Sequence, residues 1–213
     1  MIKLKSYKES MKIGSHNSWS FNKVKQWYLK PFFWIAKCQN ADICRQYLMG
    51  IRCFDLRLRY NHKKKIFETA HGLITYCGEE HWKNDIEWLN ELTHNAVPLM
   101  GKIQQVYCRV LLETKNFDEE EKQAFFDLCL WLERNFKDVK FFGGFPTRHW
   151  KQNIYNFTYM EPLLADKYAS VIPPKIRGLW PWLYAHNHNK ENVSAPAKSD
   201  FLYIDFVEDN GSF

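Results

Sequence analysis

Long apolar runs are missing from this sequence of 213 residues. A helix that crosses a bilayer needs about 20 consecutive, mostly apolar residues, and no segment approaches that length. The first ten residues are also too polar to form a secretory signal. These absences predict a cytoplasmic protein, or a mature form from which a signal has been removed.

The sequence also lacks internal repeats, low-complexity tracts and the paired Cys-x-x-Cys spacing of a zinc site. Most of its cysteines fall inside apolar periodic segments. This placement favours reduced thiols in the core over a disulfide framework or a metal site. The six cysteines are Cys38, Cys44, Cys53, Cys77, Cys108 and Cys129.

The composition is that of a globular protein. Hydrophobic residues make up 46% and charged residues 25%, close to average usage, and a chain of this length supports one core. We therefore predict a single domain spanning residues 1–213. The net charge of +6 indicates either an anionic partner or a device for solubility. The 9 Trp, 11 Tyr and 16 Phe suit a surface that is part apolar and part wet.

Short apolar runs alternate with helical patterns along the chain. Helices are predicted at residues 118–136, behind an acidic first turn, and at residues 83–92. This alternation predicts an α/β fold, and we expect a closed or slightly incomplete barrel of parallel strands rather than an open sheet. Residues 186–199 are rich in Asn, His, Lys, Ala and Pro and should form a loop. The predicted strands span residues 12–15, 51–60, 66–70, 106–113, 139–142 and 201–207.

The strand predicted at 51–60 has one apolar and one charged face. Phe54, Leu56 and Leu58 lie on the first face, and Asp55, Arg57 and Arg59 lie on the second. In a barrel the apolar face packs against helices, and the charged face lies inside near the mouth, where it needs ligands or counter-charges. An edge strand with a solvated face explains the same alternation.

Two further predicted strands carry an acidic residue opposite their apolar face. Glu113 ends the strand at 106–113, and Asp205 lies near the end of the strand at 201–207. Charged residues at the ends of three strands are what a site at a barrel mouth requires.

Three short motifs give the sequence a family resemblance. His16 stands in Lys-Ile-Gly-Ser-His-Asn-Ser, Arg57 ends Gly-Ile-Arg-Cys-Phe-Asp-Leu-Arg, and His71 stands in Ala-His-Gly. This order resembles the catalytic X domain of phosphatidylinositol-specific phospholipases C, particularly the small bacterial enzymes. The match is strong over residues 12–72 and thinner around Glu113 and Asp205. The resemblance implies a distorted or incomplete (β/α)8 TIM-type barrel.

The resemblance also implies a reaction: the inositol 2-hydroxyl attacks phosphorus, diacylglycerol leaves, and a cyclic phosphodiester forms and is slowly hydrolysed. By resemblance His16 is the base and His71 the acid, a pairing that suits two imidazoles with ordinary pKa values near 6.5. Arg57 stands where animal members carry a calcium-binding Asp, so we expect no metal and no other cofactor. Asp205 should accept the other ring N–H of His16.

One position departs from the bacterial pattern. Those members usually carry Asp after the first His, whereas Asn17 stands here. A neutral amide can orient His71 but cannot keep it protonated by charge. An oxygen-rich cation site built from Asn17, Asp55 and Glu113 is the minority alternative, since Arg57 lies in its midst. Lys115 either contacts a headgroup or is simply solvated, and we favour the second.

Aromatic residues are concentrated in two segments. Residues 24–37 mix Trp, Tyr and Phe with Lys, as interfacial helices do, although core packing explains the mixture equally well. Trp180, Trp182 and Tyr184 form the second group and are candidates for contact with a sugar. The expected partner is therefore a phosphodiester such as an inositol phospholipid, with peripheral membrane contact and without nucleic acid.

Two rival functions fit parts of the sequence. A glycerophosphodiester phosphodiesterase shares the barrel and the His chemistry, but its expected His-Arg-Gly and paired metal-binding acids do not occur here. A basic barrel that binds anionic membrane or nucleic acid without turnover is permitted by the charge and the aromatic content. Convergence of the two histidines around Arg57 favours catalysis over the binding module.

Overall fold

A mixed β-sheet forms the centre of the molecule. The computed structural model describes residues 12–95, 105–114, 117–146, 152–153, 164–166, 180–194 and 201–210. In order along the chain, the strands are β1 (Lys12–Ser15), β2 (Cys53–Asn61), β3 (Ile66–His71), β4 (Ile74–Thr75), β5 (Val106–Leu112), β6 (Val139–Pro146), β7 (Gln152–Asn153), β8 (Leu164–Asp166) and β9 (Phe201–Ile204). The helices are α1 (Ile43–Leu48), α2 (Glu79–His94), α3 (Glu119–Asn135) and α4 (Pro181–Ser194), with 3-10 helices at Trp27–Ile35 and Val207–Asn210.

Six of the described strands are parallel and lie in the order β8-β9-β1-β2-β5-β6. Strand β1 therefore pairs with β9, the last of the described strands. From β1 the neighbours follow the order of the chain as far as β6, and β8 lies on the far side of β9, so a closed ring would need a connection between β6 and β8. Within the described residues the sheet is not closed. The predicted α/β class is confirmed by this sheet and its helices, whereas a closed barrel is not shown within the described residues.

The strand predicted at 66–70 is not part of the parallel set. It forms β3, which runs antiparallel to β2, and β4 in turn pairs antiparallel with β3. The expectation that this strand continues a parallel barrel is wrong. Only four residues separate β2 from β3, whereas a parallel crossover needs a dozen or more.

The two faces of the sheet have different chemistry. The large core lies on the helical face and contains Phe54, Leu56 and Leu58 of β2, as alternation predicted. The opposite face carries a smaller cluster of buried residues: Cys53, Phe142, Phe201 and Tyr203. Gly14 permits this packing, because a Cβ there would lie 2.9 Å from the ring of Tyr203. Asp55 and Arg57 share the parity of Cys53 and are both buried, so the charged face of β2 is inside the protein.

Helices α2 and α3 cover the helical face. Asp118 caps α3 by accepting a hydrogen bond from the backbone N–H of Glu121 at 2.8 Å. The three acidic residues of the first turn stabilise the helix, because their negative charge interacts with the positive end of its dipole. Both predicted helices are confirmed, and α2 is longer than predicted at each end.

The loop predicted at residues 186–199 is wrong over its first nine residues, which continue α4. Asn189 explains the difference, because its side-chain amide donates to the backbone oxygen of Asp205 at 2.7 Å and is buried. The polar composition of this segment is typical of a loop, but hydrogen bonds to distant residues stabilise it as a helix. Residues 195–199 lie outside the described residues.

The cysteines are free thiols, and five of the six are buried. Cys44, on α1, is the exposed one. Among the described helices, none has the length and apolar character needed to span a bilayer.

Candidate active site

The parallel pairing of β1 with β9 brings His16 and Asp205 together. Ser15 lies opposite Ile204 in this pair, so each of the two functional residues follows directly after its strand. Nδ1 of His16 is 2.6 Å from Oδ1 of Asp205, and both residues are 1% exposed. The carboxylate therefore holds the proton at Nδ1 and directs proton exchange to Nε2.

Gln39 holds the ends of the same two strands together. Its side-chain nitrogen donates to the backbone oxygens of His16 at 2.9 Å and of Ile204 at 3.0 Å. Its side-chain oxygen accepts from the backbone N–H of Val207 at 3.1 Å. This buried amide fixes the backbone that carries the His16–Asp205 pair.

Asp55 is the centre of a buried ion network on β2. Its Oδ2 accepts from Nε of Arg57 and from the backbone N–H of Asn17, each at 2.9 Å. Its Oδ1 accepts from Nε of Arg109 at 2.8 Å. Burial acts to raise the pKa of Asp55, but the two guanidinium groups and His16 more than offset it, and the pKa lies well below its usual range.

Glu113 completes the network at the end of β5. Its Oε2 lies 3.6 Å from Nη1 of Arg57, and its Oε1 accepts from the backbone N–H of Gly72 at 2.9 Å. Arg57 is thus held at its Nε by Asp55 and approached at a terminal nitrogen by Glu113. The contact with Gly72 also ties β5 to the turn that follows His71.

His71 reaches the site from the end of the antiparallel strand β3. Its ring centroid lies 5.5 Å from that of His16, and the ring planes are nearly perpendicular at 87°. Nδ1 of His71 is 2.9 Å from the backbone oxygen of Ala36, which also accepts from the hydroxyl of Tyr76 at 2.7 Å. Burial lowers the pKa of His71, and although Glu113 opposes the shift, the pKa stays below its ordinary value.

The predicted role of Asn17 as the residue that orients His71 is not what the geometry shows. The backbone oxygen of Ala36 takes that position, and neither atom of the buried Asn17 side-chain amide has a hydrogen-bond partner among the described residues. Asn17 instead contributes its backbone N–H to Asp55 from a left-handed conformation with φ 42°. Lys115 lies outside the described residues.

The minority cation site of Asn17, Asp55 and Glu113 fits these contacts poorly. Both oxygens of Asp55 already accept hydrogen bonds from cationic or backbone N–H groups. A hard cation such as Ca²⁺ needs six to eight oxygen ligands, and the guanidinium of Arg57 occupies the space between the two carboxylates.

Sequence reasoning missed two residues at this site. Arg109 lies opposite Asp55 in the β2–β5 pair and 4.2 Å over the ring of Tyr203. Arg109 lies four positions before Glu113 on the same predicted strand, so both side chains lie on one face of the sheet, and this alternation was enough to predict Arg109 at the site. Cys38 is fully buried with its Sγ 3.7 Å from Nδ1 of His71, and no local pattern distinguishes it from a core thiol.

Exposed aromatic side chains form a patch that we call the aromatic surface. Leu29 of the 3-10 helix Trp27–Ile35 packs against a small core cluster. The aromatic residues of this helix are exposed, so core packing does not explain them. The ring of Trp34 lies 5.3 Å from that of Trp180, next to α4. Tyr184 is buried and does not belong to this surface. Its exposed members are Trp27, Tyr28, Phe32, Phe33, Trp34, Trp180 and Trp182.

Comparison with known proteins gives a likeness in structure alone. No protein-family model matches the sequence, and no curated protein matches it either. A variant of the phosphatidylinositol-specific phospholipase C from Staphylococcus aureus matches with a TM-score of 0.55 and 15% identity, over 92% of this chain and 86% of that chain. The phosphatidylinositol-specific phospholipase C from Listeria monocytogenes matches with a TM-score of 0.58 and 13% identity, over 95% and 91%.

A further structure of the S. aureus enzyme, from work on the modulation of its membrane binding, has a TM-score of 0.53 and 15% identity, over 96% of this chain and 89% of that chain. Because the sequence identities are so low, these matches establish the fold and nothing more. The resemblance drawn from His16, Arg57 and His71 is therefore confirmed in architecture: the chain has the fold of bacterial phosphatidylinositol-specific phospholipases C.

Proposed function

We propose that this protein is a metal-independent phosphodiesterase that cleaves phosphatidylinositol or a related phosphodiester through a cyclic phosphodiester. The observation that carries the proposal is the convergence of three groups from separate elements. The rings of His16 and His71 lie 5.5 Å apart. Asp55 and Glu113 hold the guanidinium of Arg57, which is close enough to act on the pKa of His71. Scattered side chains would have favoured the non-catalytic binding module.

His16 acts as the general base in this mechanism. Because Asp205 holds the proton at Nδ1, Nε2 takes the proton from a hydroxyl of the substrate, and that oxygen forms a bond to phosphorus. The carboxylate then stabilises the imidazolium that results. Burial of both groups strengthens their interaction relative to water.

Arg57 stabilises the charge that develops on the non-bridging oxygens. A guanidinium offers its donors in a planar fork that matches two phosphoryl oxygens. Asp55 contacts Nε and Glu113 lies 3.6 Å from Nη1, so the two carboxylates together set the orientation of the fork. A positive charge fixed before the substrate arrives needs little reorganisation during the reaction.

His71 acts as the general acid and protonates the leaving oxygen as its bond to phosphorus breaks. Its pKa is lowered without substrate, but a bound phosphodiester brings a negative charge that favours the protonated imidazole. In the second half of the reaction the roles reverse, because His71 activates water and His16 returns its proton to the released hydroxyl.

We extend the proposal to the architecture and propose an incomplete (β/α)8 barrel in a single domain over residues 1–213. The circular order of the six parallel strands, with β9 beside β1, supports it. His16, Glu113 and Asp205 each follow directly after a parallel strand, and Arg57 lies where the parallel pairing of β2 with β5 ends. This is the edge where barrel enzymes place their chemistry.

The aromatic surface supports peripheral membrane contact. Trp and Tyr are suited to the boundary between headgroups and acyl chains, and Trp27 is 78% exposed. Ala36, whose carbonyl oxygen is 2.9 Å from Nδ1 of His71, follows directly after the 3-10 helix that carries most of this surface. A lipid substrate would therefore meet the membrane-facing helix and the site together. Cytoplasmic location stays a prediction.

Product analysis tests the proposed function. The full chain is incubated with vesicles that contain phosphatidylinositol, and separately with inositol cyclic phosphodiester, and phosphorus NMR follows the products. We expect diacylglycerol and a cyclic phosphodiester first, then slow ring opening. Vesicle binding without any product would reject catalysis and support the binding module.

A further inference from the structure

A third metal-ligating side chain lies beside the two histidines. One nitrogen of His16, one nitrogen of His71 and Sγ of Cys38 all lie within 4.8 Å of one another. The proposed mechanism uses the imidazoles of His16 and His71 and assigns no role to the thiol of Cys38. The three residues come from different elements, after β1, after the 3-10 helix Trp27–Ile35 and at the end of β3, so no sequence spacing predicts the cluster.

We infer that His16, Cys38 and His71 form a binding site for Zn²⁺ or a similar soft divalent transition-metal ion, and that this ion and the phosphodiester exclude each other. The inhibitory consequence rests on the proposed function, whereas the metal site does not. The same two imidazoles would be ligands in one state and proton carriers in the other. An imidazole whose lone pair is bound to metal cannot accept a proton there.

The spacing of the rings suits a tetrahedral ion. Zn–N bonds of about 2.0–2.1 Å, with about 1.1 Å more from nitrogen to ring centre, place two imidazole centroids about 5.2 Å apart. The observed separation is 5.5 Å. Two nitrogens and a sulfur around a tetrahedral Zn²⁺ lie about 3.3–3.6 Å apart. The three donor atoms lie within 4.8 Å of one another, so they must approach one another by up to about 1.5 Å to share one ion.

Both rings already have the outer hydrogen bonds that zinc ligands use. Nδ1 of His16 contacts the carboxylate of Asp205 at 2.6 Å, and Nδ1 of His71 contacts the backbone oxygen of Ala36 at 2.9 Å. A carboxylate or carbonyl partner on one ring nitrogen orients the ring and raises the basicity of the other nitrogen.

The charges around the cluster also favour a divalent ion that takes a thiolate. The network of three carboxylates and two guanidinium groups carries one excess negative charge, from Asp55, Glu113 and Asp205 against Arg57 and Arg109. On binding, the thiol of Cys38 releases its proton to solvent, and Sγ donates an electron pair to the ion without any change of oxidation state. The thiolate adds a second negative charge, which a divalent ion balances.

The donor set determines which ions bind. Two imidazoles and a thiolate suit Zn²⁺ and Co²⁺, whereas Ca²⁺ and Mg²⁺ require oxygen ligands. A fourth position remains for water. Calcium and magnesium should therefore leave the protein unaffected at concentrations at which zinc binds.

Cobalt spectroscopy tests the site without any substrate. The reduced full chain is titrated with Co²⁺, and we expect a near-ultraviolet thiolate-to-cobalt charge-transfer band at one ion per chain, which Zn²⁺ abolishes by displacement. Cys38→Ser should lose the band and bind cobalt more than about 100-fold more weakly, since even the loss of an outer partner costs 10–100-fold. Cys44→Ser is the matched control, because it removes the exposed thiol, and it should keep the band.

Two further variants strengthen the test. Cys38→Ala provides a second measurement if the serine variant does not fold, which far-ultraviolet circular dichroism checks. Asp205→Asn should weaken cobalt binding by about 10–100-fold and keep the charge-transfer band, as expected of an outer partner of His16. A wild-type titration without the band, or an unchanged band in both Cys38 variants, would overturn the site.

Mutual exclusion is measured as the ratio of turnover without and with Zn²⁺ within each variant, on whichever phosphodiester proves to be a substrate. Zinc should suppress the wild type and Cys44→Ser, and should suppress Cys38→Ser only at much higher concentrations. Equal suppression of all three would refute mutual exclusion. A cobalt site in a chain that cleaves no phosphodiester would instead reject the proposed function and leave the metal site standing.

Discussion

His16 and His71 meet in one site, but the protein holds them by different means. His16 extends from a parallel strand pair and contacts a buried carboxylate, whereas His71 extends from an antiparallel hairpin and contacts a neutral backbone carbonyl. A carboxylate stabilises the imidazolium that a base becomes, and a carbonyl leaves the acid's pKa open to its surroundings. In the proposed mechanism, the difference suits His16 as the base, whose imidazolium the carboxylate stabilises, and His71 as the acid, which the negative charge of the substrate helps to protonate.

The largest effect should come from removing either ring. His16→Ala and His71→Ala should each lower turnover by roughly 10²–10⁴-fold or more, the contribution of a general acid or base. His62→Ala is the matched control, because its side chain is 51% exposed on the β2–β3 turn. Turnover is measured on phosphatidylinositol vesicles, with melting temperatures to show that the variants fold. Normal turnover in either active-site variant would remove that ring from the mechanism.

The next largest effect should come from Arg57→Lys, which keeps the charge and loses the planar fork. The loss of one charge-assisted hydrogen bond in the transition state should raise the barrier by about 2–4 kcal/mol. That is a fall of roughly 30- to 1000-fold in kcat, with a much smaller change in KM.

Arg109→Lys separates catalysis from the structural pairing of Arg57 with Asp55. Arg109 contacts the other oxygen of the same carboxylate, so its replacement should lower the melting temperature and change kcat far less. If Arg57→Lys is unstable and fast while Arg109→Lys is slow, the catalytic assignment of Arg57 is wrong.

A smaller effect should distinguish the surroundings of the two rings. Glu113 raises the pKa of His71 against the effect of burial, so Glu113→Gln should lower that pKa further. The acid must be protonated, and activity is lost as pH rises through its pKa. The alkaline limb of the kcat/KM profile of the variant should therefore move to lower pH, with only a few-fold loss of activity near neutrality.

The matched measurement for that shift is the acid limb of the same profile, which the base sets. It should stay where it is, because Glu113 contacts Arg57 and Gly72 rather than His16. Equal displacement of both limbs would indicate a general change in the site and would contradict the separation of roles.

The smallest effect concerns added chelator. Arg57 supplies the positive charge that a metal would bring, so EDTA should leave turnover unchanged, or raise it where adventitious zinc is present. Activity that is lost in EDTA and restored by Ca²⁺ would refute this and would make Asn17, Asp55 and Glu113 ligands. The assay needs a zinc-free buffer as its reference.

The sequence predicts those parts of the structure that depend on local pattern. Strand β1 begins and ends as predicted, and the parity of β2 places Asp55 and Arg57 on the inner face. Helix α3 follows its capping residue and its apolar stripe. These features depend on neighbours within a few positions along the chain, and periodicity reports them directly.

The features that pattern reasoning missed depend on distant partners. The first nine residues of the predicted loop at 186–199 are helical because the side chain of Asn189 donates to the backbone beyond β9. Cys38 resembles any core thiol until the fold places it 3.7 Å from His71. The hairpin of β3 was predictable in principle, because the four-residue connection after β2 is too short for a crossover.

The pairing of β1 with β9 has a consequence for how the protein is made. His16 leaves the ribosome 189 positions before Asp205, which at about 5–20 residues per second is a delay of roughly 10–40 s. During that time β1 has no parallel neighbour on one side, and the base lacks its carboxylate. Such a long-range contact also slows folding, because the whole loop must close before the pairing stabilises it. We therefore expect a nascent chain that stops before residue 201 to lack the contact between His16 and Asp205, and with it any activity that depends on this pair.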